Sequence, residues 1–259
     1  MERKSKVRRI LWPDRPAKFL NTQKTAMKGL FKILQEADDA EDLHDMRVAI
    51  RRTRALLGFV ESDLKAPKFH RLSAMLKKCG CVLGAQRQLD VALKDAKHYG
   101  LKTSGLAGAR KKAREEVARM LTNLRWTKLE GELGKFSESI VKINRSSTQK
   151  TASALLGRLK KIERFLPEKS SPDFHKFRIF VKKIRYTLEA VGRPLGKIKS
   201  LHSLLGKIHD LSVLQQLVPC TKEVEKDAVS LYNRAVCVVK PALRHASKEL
   251  AAAAIESRF

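Results

Sequence analysis

The chain of 259 residues has few of the residues that build β-sheets and few acidic ones. Aromatic residues make up 6% of it, and nowhere does the sequence sustain the alternation of apolar and polar residues that predicts a half-buried strand. No run reaches the roughly 18 apolar residues of a membrane-spanning helix, and the basic start lacks the apolar core of a secretory signal. These absences argue against a sheet-based fold, and we expect a soluble, intracellular protein.

Cysteine is scarce as well, with four residues in the whole chain. Cys79 and Cys81 form a C-x-C pair while Cys220 and Cys237 stand apart, so the paired C-x-x-C spacing of a zinc site is missing. We expect free thiols that are mostly buried and that stay reduced in the cytoplasm. The sequence predicts neither a metal site nor a cofactor.

The charge is strongly unbalanced. Lysine and arginine number 55 against 27 aspartates and glutamates, which gives a formal net charge of +28. Solubility alone usually needs a net charge of only about 2–8 in magnitude. A compact domain with so large an excess repels itself, so we expect a polyanionic partner. Nucleic acid, an anionic membrane surface and a phosphate polymer all fit at this point.

Apolar residues recur every three to four positions along the chain, which predicts an all-α protein. The predicted helices cover residues 17–37, 41–62, 67–98, 106–124, 127–143, 148–166, 172–192, 197–218 and 221–256. Ser171 has the residue type of an N-cap, and Pro172 suits the first position of the helix that follows. Pro241 is expected to kink or split the last helix.

One basic stretch occurs twice. The sequence HDMRVAIRRTRALL, which begins at His44, matches HKFRIFVKKIRYTL, which begins at His175, at a constant spacing of 131 residues. A second pair follows in the same order, because KKCGCVLGAQRQLDVAL from Lys77 resembles KSLHSLLGKIHDLSVLQ from Lys199 around a shared Leu-Gly. Two ordered matches predict a duplicated helical unit. The two predicted repeats are residues 17–143 and 148–259, and the polar residues 144–150 link them.

The repeated stretch has two faces when it is placed on a helix of about 100° per residue. Four basic side chains of the first copy lie within an arc of about 80°: His44, Arg47, Arg51 and Arg54. The second copy repeats this arc with His175, Arg178, Lys182 and Arg185. Apolar residues occupy the opposite face of both helices, as expected for helices that pack against a core. Like charges four positions apart slightly destabilise an isolated helix, so we interpret the arc as a surface that binds an anion.

The residue types in the arc suit phosphate. The planar guanidinium of arginine can hold two phosphate oxygens at once, and a histidine in the first turn lies near the positive end of the helix dipole. Two such helices could line one groove or pore, in which a long anion would contact both. The helices that follow offer further basic residues, namely Lys77, Lys78, Arg87 and Lys94 in the first repeat and Lys199, Lys207 and His209 in the second.

These paired motifs resemble the CHAD domain, the conserved histidine α-helical domain. The resemblance covers nearly the whole chain and rests on H-x-x-R-V-x-x-R-R-x-R, on its repeat H-x-x-R-x-x-x-K-K-x-R-Y and on the Leu-Gly elements downstream. It implies a single domain over residues 1–259, a duplicated antiparallel helical bundle of two four-helix units with pseudo-twofold symmetry around a basic central cavity. It further implies a non-enzymatic protein that binds inorganic polyphosphate and associates with polyphosphate granules in the cytoplasm.

The resemblance also implies which residues bind. The family's motif positions fall on His44, Arg47, Arg51, Arg52, Arg54, His175, Arg178, Lys182, Lys183 and Arg185, and we add Lys77, Lys78, Arg87, Lys199 and Lys207. The family pattern has an Arg-Asp pair after the Leu-Gly element. Here the first copy has Gln88 in place of the aspartate, with Asp90 two positions on, and the second copy has His209-Asp210. The orientation of Arg87 is therefore open.

Other functions stay open from the residues alone. Nucleic-acid binding is the main alternative, although base stacking would need exposed aromatic residues and Tyr186 is the one aromatic residue near the basic arc. Catalysis would need partners for the histidines, and no carboxylate cluster, nucleophile or phosphate-binding glycine loop accompanies them. Metal binding by the histidines with Asp45 is disfavoured because the neighbouring arginines repel a cation. The C-terminal ELAAAAIESRF lacks the large apolar side chains of a membrane anchor.

Overall fold

The computed structural model describes residues 14–60, 69–141, 152–159 and 166–256. These residues are almost entirely helical and contain no β-strand, so the prediction of an all-α protein is confirmed. The helices are α1 (Asp14–Glu36), α2 (Ala40–Val60), α3 (His70–His98), α4 (Ser104–Asn123), α5 (Trp126–Val141), α6 (described for residues 152–159), α7 (Pro172–Ala190), α8 (Gly196–Leu217) and α9 (Lys222–Glu256). The predicted linker, residues 144–150, lies outside the described residues.

The two helices that carry the basic stretch begin at well-defined caps. The carboxylate of Asp39 accepts hydrogen bonds from the backbone N–H groups of Glu41 at 2.7 Å and Asp42 at 3.0 Å, at the start of α2. Ser171 caps α7 as predicted, because its hydroxyl accepts a hydrogen bond from the N–H of Phe174 at 3.3 Å. The first turn of each basic stretch is therefore fixed by local hydrogen bonds.

Pro241 does not split the last helix, because α9 runs through it as one element. A proline inside a helix removes one backbone hydrogen bond and crowds the preceding turn. Ala242, Leu243 and Ala246, which follow the proline, are buried in the apolar core of the second half. Their burial against neighbouring helices offsets the local cost and keeps α9 continuous.

Three apolar clusters hold the helices together. The first, which contains Phe59 and Phe136, lies mainly in the first half, and the second, which contains Ile184, joins helices of the second half. The third crosses between the halves, where Ala96 at the end of α3 packs in one cluster with Leu214 of α8. The described residues give five helices in the first half and four in the second, and the duplication itself stays a prediction.

The halves meet mainly along two pairs of helices. α2 lies against α7, and α3 lies against α8. Arg52 of α2 forms an ion pair with Glu189 of α7, and the hydroxyl of Tyr99 donates a hydrogen bond to the carboxylate of Asp227 at 2.7 Å. The two copies of the basic stretch therefore lie side by side at the junction of the halves.

Two other findings bear on the sequence predictions. No helix in the described ranges is both long enough and apolar enough to cross a membrane. The four cysteines are free, but Cys79 is the buried one, whereas Cys81 and Cys237 are exposed. The expectation of mostly buried thiols is wrong, because these two residues lie on the solvent-facing sides of α3 and α9.

Candidate anion-binding groove

The structure brings the two basic arcs together. We call them the α2 stripe (His44, Arg47, Arg51 and Arg54) and the α7 stripe (His175, Arg178, Lys182 and Arg185). The positive charge of Arg51 in α2 lowers the pKa values of Arg178 and Lys182 in α7, after the larger effect of their burial. Such coupling requires the side chains to be close. We call the basic cleft between the two stripes the central groove.

Tyr186 lies between the stripes and contacts both. The guanidinium of Arg51 lies 5.6 Å from the centre of its ring, and that of Arg185 lies 5.4 Å from it. An aromatic face attracts a guanidinium, so the ring helps to hold two like-charged groups near each other. Because Tyr186 is only 3% exposed, its ring is not free to stack on a nucleic-acid base.

Several nitrogen atoms in the groove have no protein partner. The Nε–H groups of Arg47, Arg51 and Arg185 and the Nδ1 atom of His44 are buried and find no hydrogen-bond partner among the described residues. An unpartnered buried polar group costs about 1–3 kcal/mol, and more when the group is charged. The Nε–H groups of the arginines therefore call for acceptors from outside the chain, and they come from both stripes.

Two glycines of α3 leave room for the arginines of α2. A methyl group on Gly84 would lie 3.4 Å from Nε of Arg47, and one on Gly80 would lie 3.6 Å from Nη1 of Arg54. The glycines are one turn apart on the face of α3 that meets α2. The glycine of the Leu-Gly element therefore contributes to the groove by leaving space for the side chain of Arg47.

The groove opens into a cavity of about 470 Å³. Its basic wall comes from both halves, with Arg51 and Arg54 from α2 and Lys182 and Lys183 from α7. His70, in the first turn of α3, also lines it. Cations from two distant parts of the sequence therefore surround one space that small ions can enter.

Burial and mutual repulsion lower the pKa values of the groove cations. Burial, followed by the charge of Arg51, lowers the pKa of Arg47 to about 10. Burial, followed by Arg178 and the arginines of α2, lowers the pKa of Lys182 to about 8. A bound anion would raise these pKa values again, so the groove favours an anionic ligand.

Three histidines at the groove have lowered pKa values. Burial and neighbouring cations lower the pKa of His202 to about 3 and that of His209 to about 4. Burial and the charge of Arg87 also lower the pKa of His44. Neutral His202 accepts a hydrogen bond at Nδ1 from Nη1 of Arg185, at 2.8 Å. Within the described ranges, no cluster of three His, Cys, Asp or Glu side chains could hold a metal ion.

One carboxylate of α8 belongs to the groove. Asp210 is half-buried, and although burial raises its pKa, the arginines of both stripes act on it in the opposite direction. The equivalent residue of the first half, Gln88, is exposed. Asp90 does not replace it, because its carboxylate pairs with Arg110 at 2.7 Å. Of these equivalent positions, only that of the second half therefore places a carboxylate at the groove.

Besides Arg185, two further predicted binding residues have protein partners. Arg52 is held by its ion pair with Glu189 across the junction. Arg87, whose orientation was open, donates a hydrogen bond from Nη1 to the carbonyl of Ala40 at 3.2 Å and lies 3.3 Å from the carboxylate of Glu41. Both arginines thus tie α2 to a neighbouring helix, and their charges lie beside the groove.

The remaining predicted residues are exposed. They are Lys77, Lys78, His175, Lys183, Lys199 and Lys207. The ring of His175 lies 6.3 Å from that of His209, at the edge of the groove. Lys77 lies on the same face of α3 as Gly80 and Gly84, whereas Lys78 lines a separate hollow with residues of α4 and α5. The structure does not bring Lys78 to the groove.

His202 is a groove residue that sequence reasoning missed. Its ring lies 6.1 Å from that of Tyr186, beside Arg185. A signal was present, because His202 precedes His209 by seven positions and therefore shares its face of α8. When the second pair of repeated stretches is aligned, His202 lies opposite Gly80. Because the two residues differ, the repeat does not single out His202.

Comparison with known proteins identifies similar chains. The family model of the CHAD domain matches residues 26–219, which is more than half of the chain. The CHAD domain from the plant Ricinus communis is similar in structure, with a TM-score of 0.63 and 22% identity over 95% of this chain and 91% of its own. PptA from Streptomyces chartreusis gives a TM-score of 0.57 and 18% identity over 92% of this chain and 98% of its own. No curated protein sequence matches the chain.

Proposed function

The chain belongs to the CHAD domain family, and we propose that it binds inorganic polyphosphate in the central groove. The observation that carries the proposal is the meeting of two cationic stripes, one from each half, in one half-buried cleft. Buried Nε–H groups of both stripes have no acceptor among the described residues. A linear chain of phosphates would contact both stripes at once and would supply an acceptor for each donor.

A phosphate chain suits the groove better than nucleic acid does. Tyr186, the aromatic residue between the stripes, is buried under two guanidiniums and offers no platform for a base. Polyphosphate carries a charge on every phosphate and has no bases or sugars between them, so its charge density exceeds that of a single nucleic-acid strand. Binding of either polyanion releases counterions and weakens with salt, so salt dependence alone does not distinguish them.

We further propose that the chain is a binding module and not an enzyme. Most of the cations in the groove are guanidiniums, which keep their protons at physiological pH and hold phosphates by fixed charge and hydrogen bonds. In the cell, the same binding would keep the protein on polyphosphate granules in the cytoplasm. Membership of the CHAD family supports this location.

A competition titration tests the proposal. Labelled long-chain polyphosphate is bound at about physiological salt and challenged with unlabelled long chain, tripolyphosphate, single-stranded DNA and RNA at equal phosphate concentration. We expect long-chain polyphosphate to compete at least about tenfold better than either nucleic acid, a difference of about 1.4 kcal/mol. Equal competition would identify a general polyanion site and favour nucleic-acid binding. No binding of polyphosphate would refute the proposal.

A further inference from the structure

Lys182 differs chemically from the arginines around it. An arginine in a protein keeps its proton, whereas a lysine can release one when it is buried among other cations. Four guanidiniums act on Lys182, namely that of Arg178 in α7 and those of Arg47, Arg51 and Arg54 in α2. When this cluster relieves its repulsion by losing one proton, Lys182 is the member that loses it.

The groups that face Lys182 from α8 do not offset the repulsion. His202 and His209 are close enough for the charge of Lys182 to act on them, and both are neutral. Asp210 acts on the arginines, with its strongest partner at Arg178. Burial is the largest cause of its lowered pKa, the side chains that add to it are all cations, and the pKa of Lys182 falls to about 8.

The amine of Lys182 is also within reach of a small reagent. Lys182 is half-buried, and it lines the cavity of about 470 Å³ together with Arg51, Arg54 and Lys183. A ring of guanidiniums raises the local concentration of small anions. An anionic acyl donor would therefore meet an unprotonated amine at the place to which its charge directs it.

We propose that Lys182 is a nucleophilic lysine, the preferred site of acylation by acyl phosphates, and that its acylation weakens binding in the central groove. The unprotonated Nζ attacks the acyl carbon and a C–N bond forms. The bond from that carbon to the phosphate oxygen breaks, inorganic phosphate leaves with the electron pair, and the surplus proton on nitrogen passes to solvent. The amide is neutral, so the α7 stripe loses a central charge. The weakened binding rests on the proposed function, whereas the reactivity does not.

The test compares Lys182 with its exposed neighbour Lys183. The variants K183R and K182R each keep the charge and leave one of the two lysines, so mass spectrometry can follow each lysine separately. With acetyl phosphate at pH 8, we expect Lys182 in K183R to react at least about fivefold faster than Lys183 in K182R, because a larger fraction of it is unprotonated. We also expect tripolyphosphate to protect Lys182. Equal or slower acetylation of Lys182 overturns the proposal.

An uncharged acyl donor separates the nucleophilicity of Lys182 from the electrostatic attraction of the reagent to the groove. With the N-hydroxysuccinimide ester of acetic acid, Lys182 should keep an advantage over Lys183, although a smaller one, because no anion is drawn into the groove. If the advantage vanishes with this reagent, the amine is not unusually nucleophilic, and that part of the proposal fails.

The effect on binding is measured on wild-type protein and K182R after the same treatment with acetyl phosphate. We expect wild type to lose about tenfold more affinity for long-chain polyphosphate than K182R does, since K182R cannot be acylated at this position. Equal losses overturn the link between acylation and binding. If untreated protein does not bind polyphosphate, the proposed function fails with that link, and the acetylation rates still decide whether Lys182 is the nucleophile.

Discussion

The two stripes share their spacing and three of their four residue types, so the two halves of the groove differ at Arg51 and Lys182 and at positions beside the stripes. Apart from His44, the α2 stripe and the neighbouring face of α3 present guanidiniums with small or neutral residues between them. The α7 stripe and the neighbouring face of α8 contain further titratable groups beside their guanidiniums. The equivalent pairs, first half and then second, are Arg51 and Lys182, Ala55 and Tyr186, Gly80 and His202, Arg87 and His209, and Gln88 and Asp210.

This difference gives the first half mostly fixed charges and places more of the titratable groups in the second half. Arg47 and Arg51 stay protonated across the physiological range. Lys182, His202 and His209 have pKa values of about 8, 3 and 4, and a bound anion would raise each of them. We therefore expect the response of the protein to pH to come from the second half.

The packing of equivalent arginines differs in the same way. Arg54 of the first half runs past Gly80, where no side chain stands between it and α3. Its counterpart Arg185 donates a hydrogen bond to His202 and lies over Tyr186. The space beside Gly80 therefore accommodates Arg54, whereas polar and aromatic partners orient Arg185.

Reversing the central charge of both stripes should have the largest effect. In the double variant R51E/K182E, affinity for long-chain polyphosphate should fall by about 100-fold or more, since two charge-assisted contacts are replaced by repulsion. Of the single variants, R51E should lose more than K182E, because a guanidinium can hold two phosphate oxygens and an ammonium acts as a point charge. Fluorescence titration measures the affinities, and circular dichroism checks the helical content.

The matched control K111E/K128E changes the net charge by the same amount away from the groove. Both lysines are exposed, in α4 and α5. We expect a loss of about threefold at most, through the general field of the protein. A loss as large as that of R51E/K182E would mean that net charge, and not the two stripes, governs binding.

Alkaline pH should weaken binding through Lys182. Its pKa of about 8 in the free protein rises when phosphate binds, so above that pH binding requires uptake of a proton, and affinity falls as pH rises. Between pH 7 and pH 9 we expect about a tenfold loss in wild type and a nearly flat profile in K182R, whose guanidinium stays charged. Parallel profiles for the two proteins would show that Lys182 does not carry the response.

The helices and the stripes could be predicted because both depend on local periodicity. Apolar residues that recur with the helical period decide which face of α2 enters the core, and the basic residues of the opposite face then share one side. The position of Ser171 before Pro172 was sufficient to place the start of α7. Recognising the second copy at His175 further indicated that two such faces would occur in one chain.

The contacts across helices could not be predicted, because they depend on how neighbouring helices are rotated and aligned. Nothing near Arg52 in sequence indicates that Glu189 faces it from α7. The adjacent lysines Lys77 and Lys78 look equivalent in a motif, yet a rotation of about 100° places them on different sides of α3. His202 acquires its role from Arg185, which approaches from another helix.

Acid should destabilise the free protein through the second half. Histidines of the unfolded chain titrate near pH 6.5, whereas burial and cations lower the folded pKa values of His202 and His209 to about 3 and 4. Below pH 6.5 the unfolded chain therefore binds more protons than the folded protein. The contribution of the two histidines to stability is fully present above that pH and is lost as pH falls towards 4. Between pH 7 and pH 5 we expect the melting temperature to drop by several degrees, as measured by circular dichroism.

The variant H202Q/H209Q removes the two groups and should show a smaller drop over the same range. Bound polyphosphate should also reduce the drop in wild type, because it raises the pKa values of the folded histidines. An equal drop in the variant would show that groups elsewhere in the chain cause the acid sensitivity and that the two histidines do not.

The smallest effect is expected at the two equivalent glycines, where the same substitution should have different results. A methyl group on Gly84 would lie 3.4 Å from Nε of Arg47 and would limit the positions open to the guanidinium, so G84A should weaken polyphosphate binding by about two- to threefold. Nothing lies within 4 Å of a methyl group on Gly206, so G206A should bind like wild type. Both changes put a better helix former inside a helix, at a gain of about 1 kcal/mol each, so a difference in affinity between them reports on Arg47 and not on helix stability. Equal affinities would show that Arg47 adjusts to the methyl group and that the space beside α3 does not set the geometry of the α2 stripe.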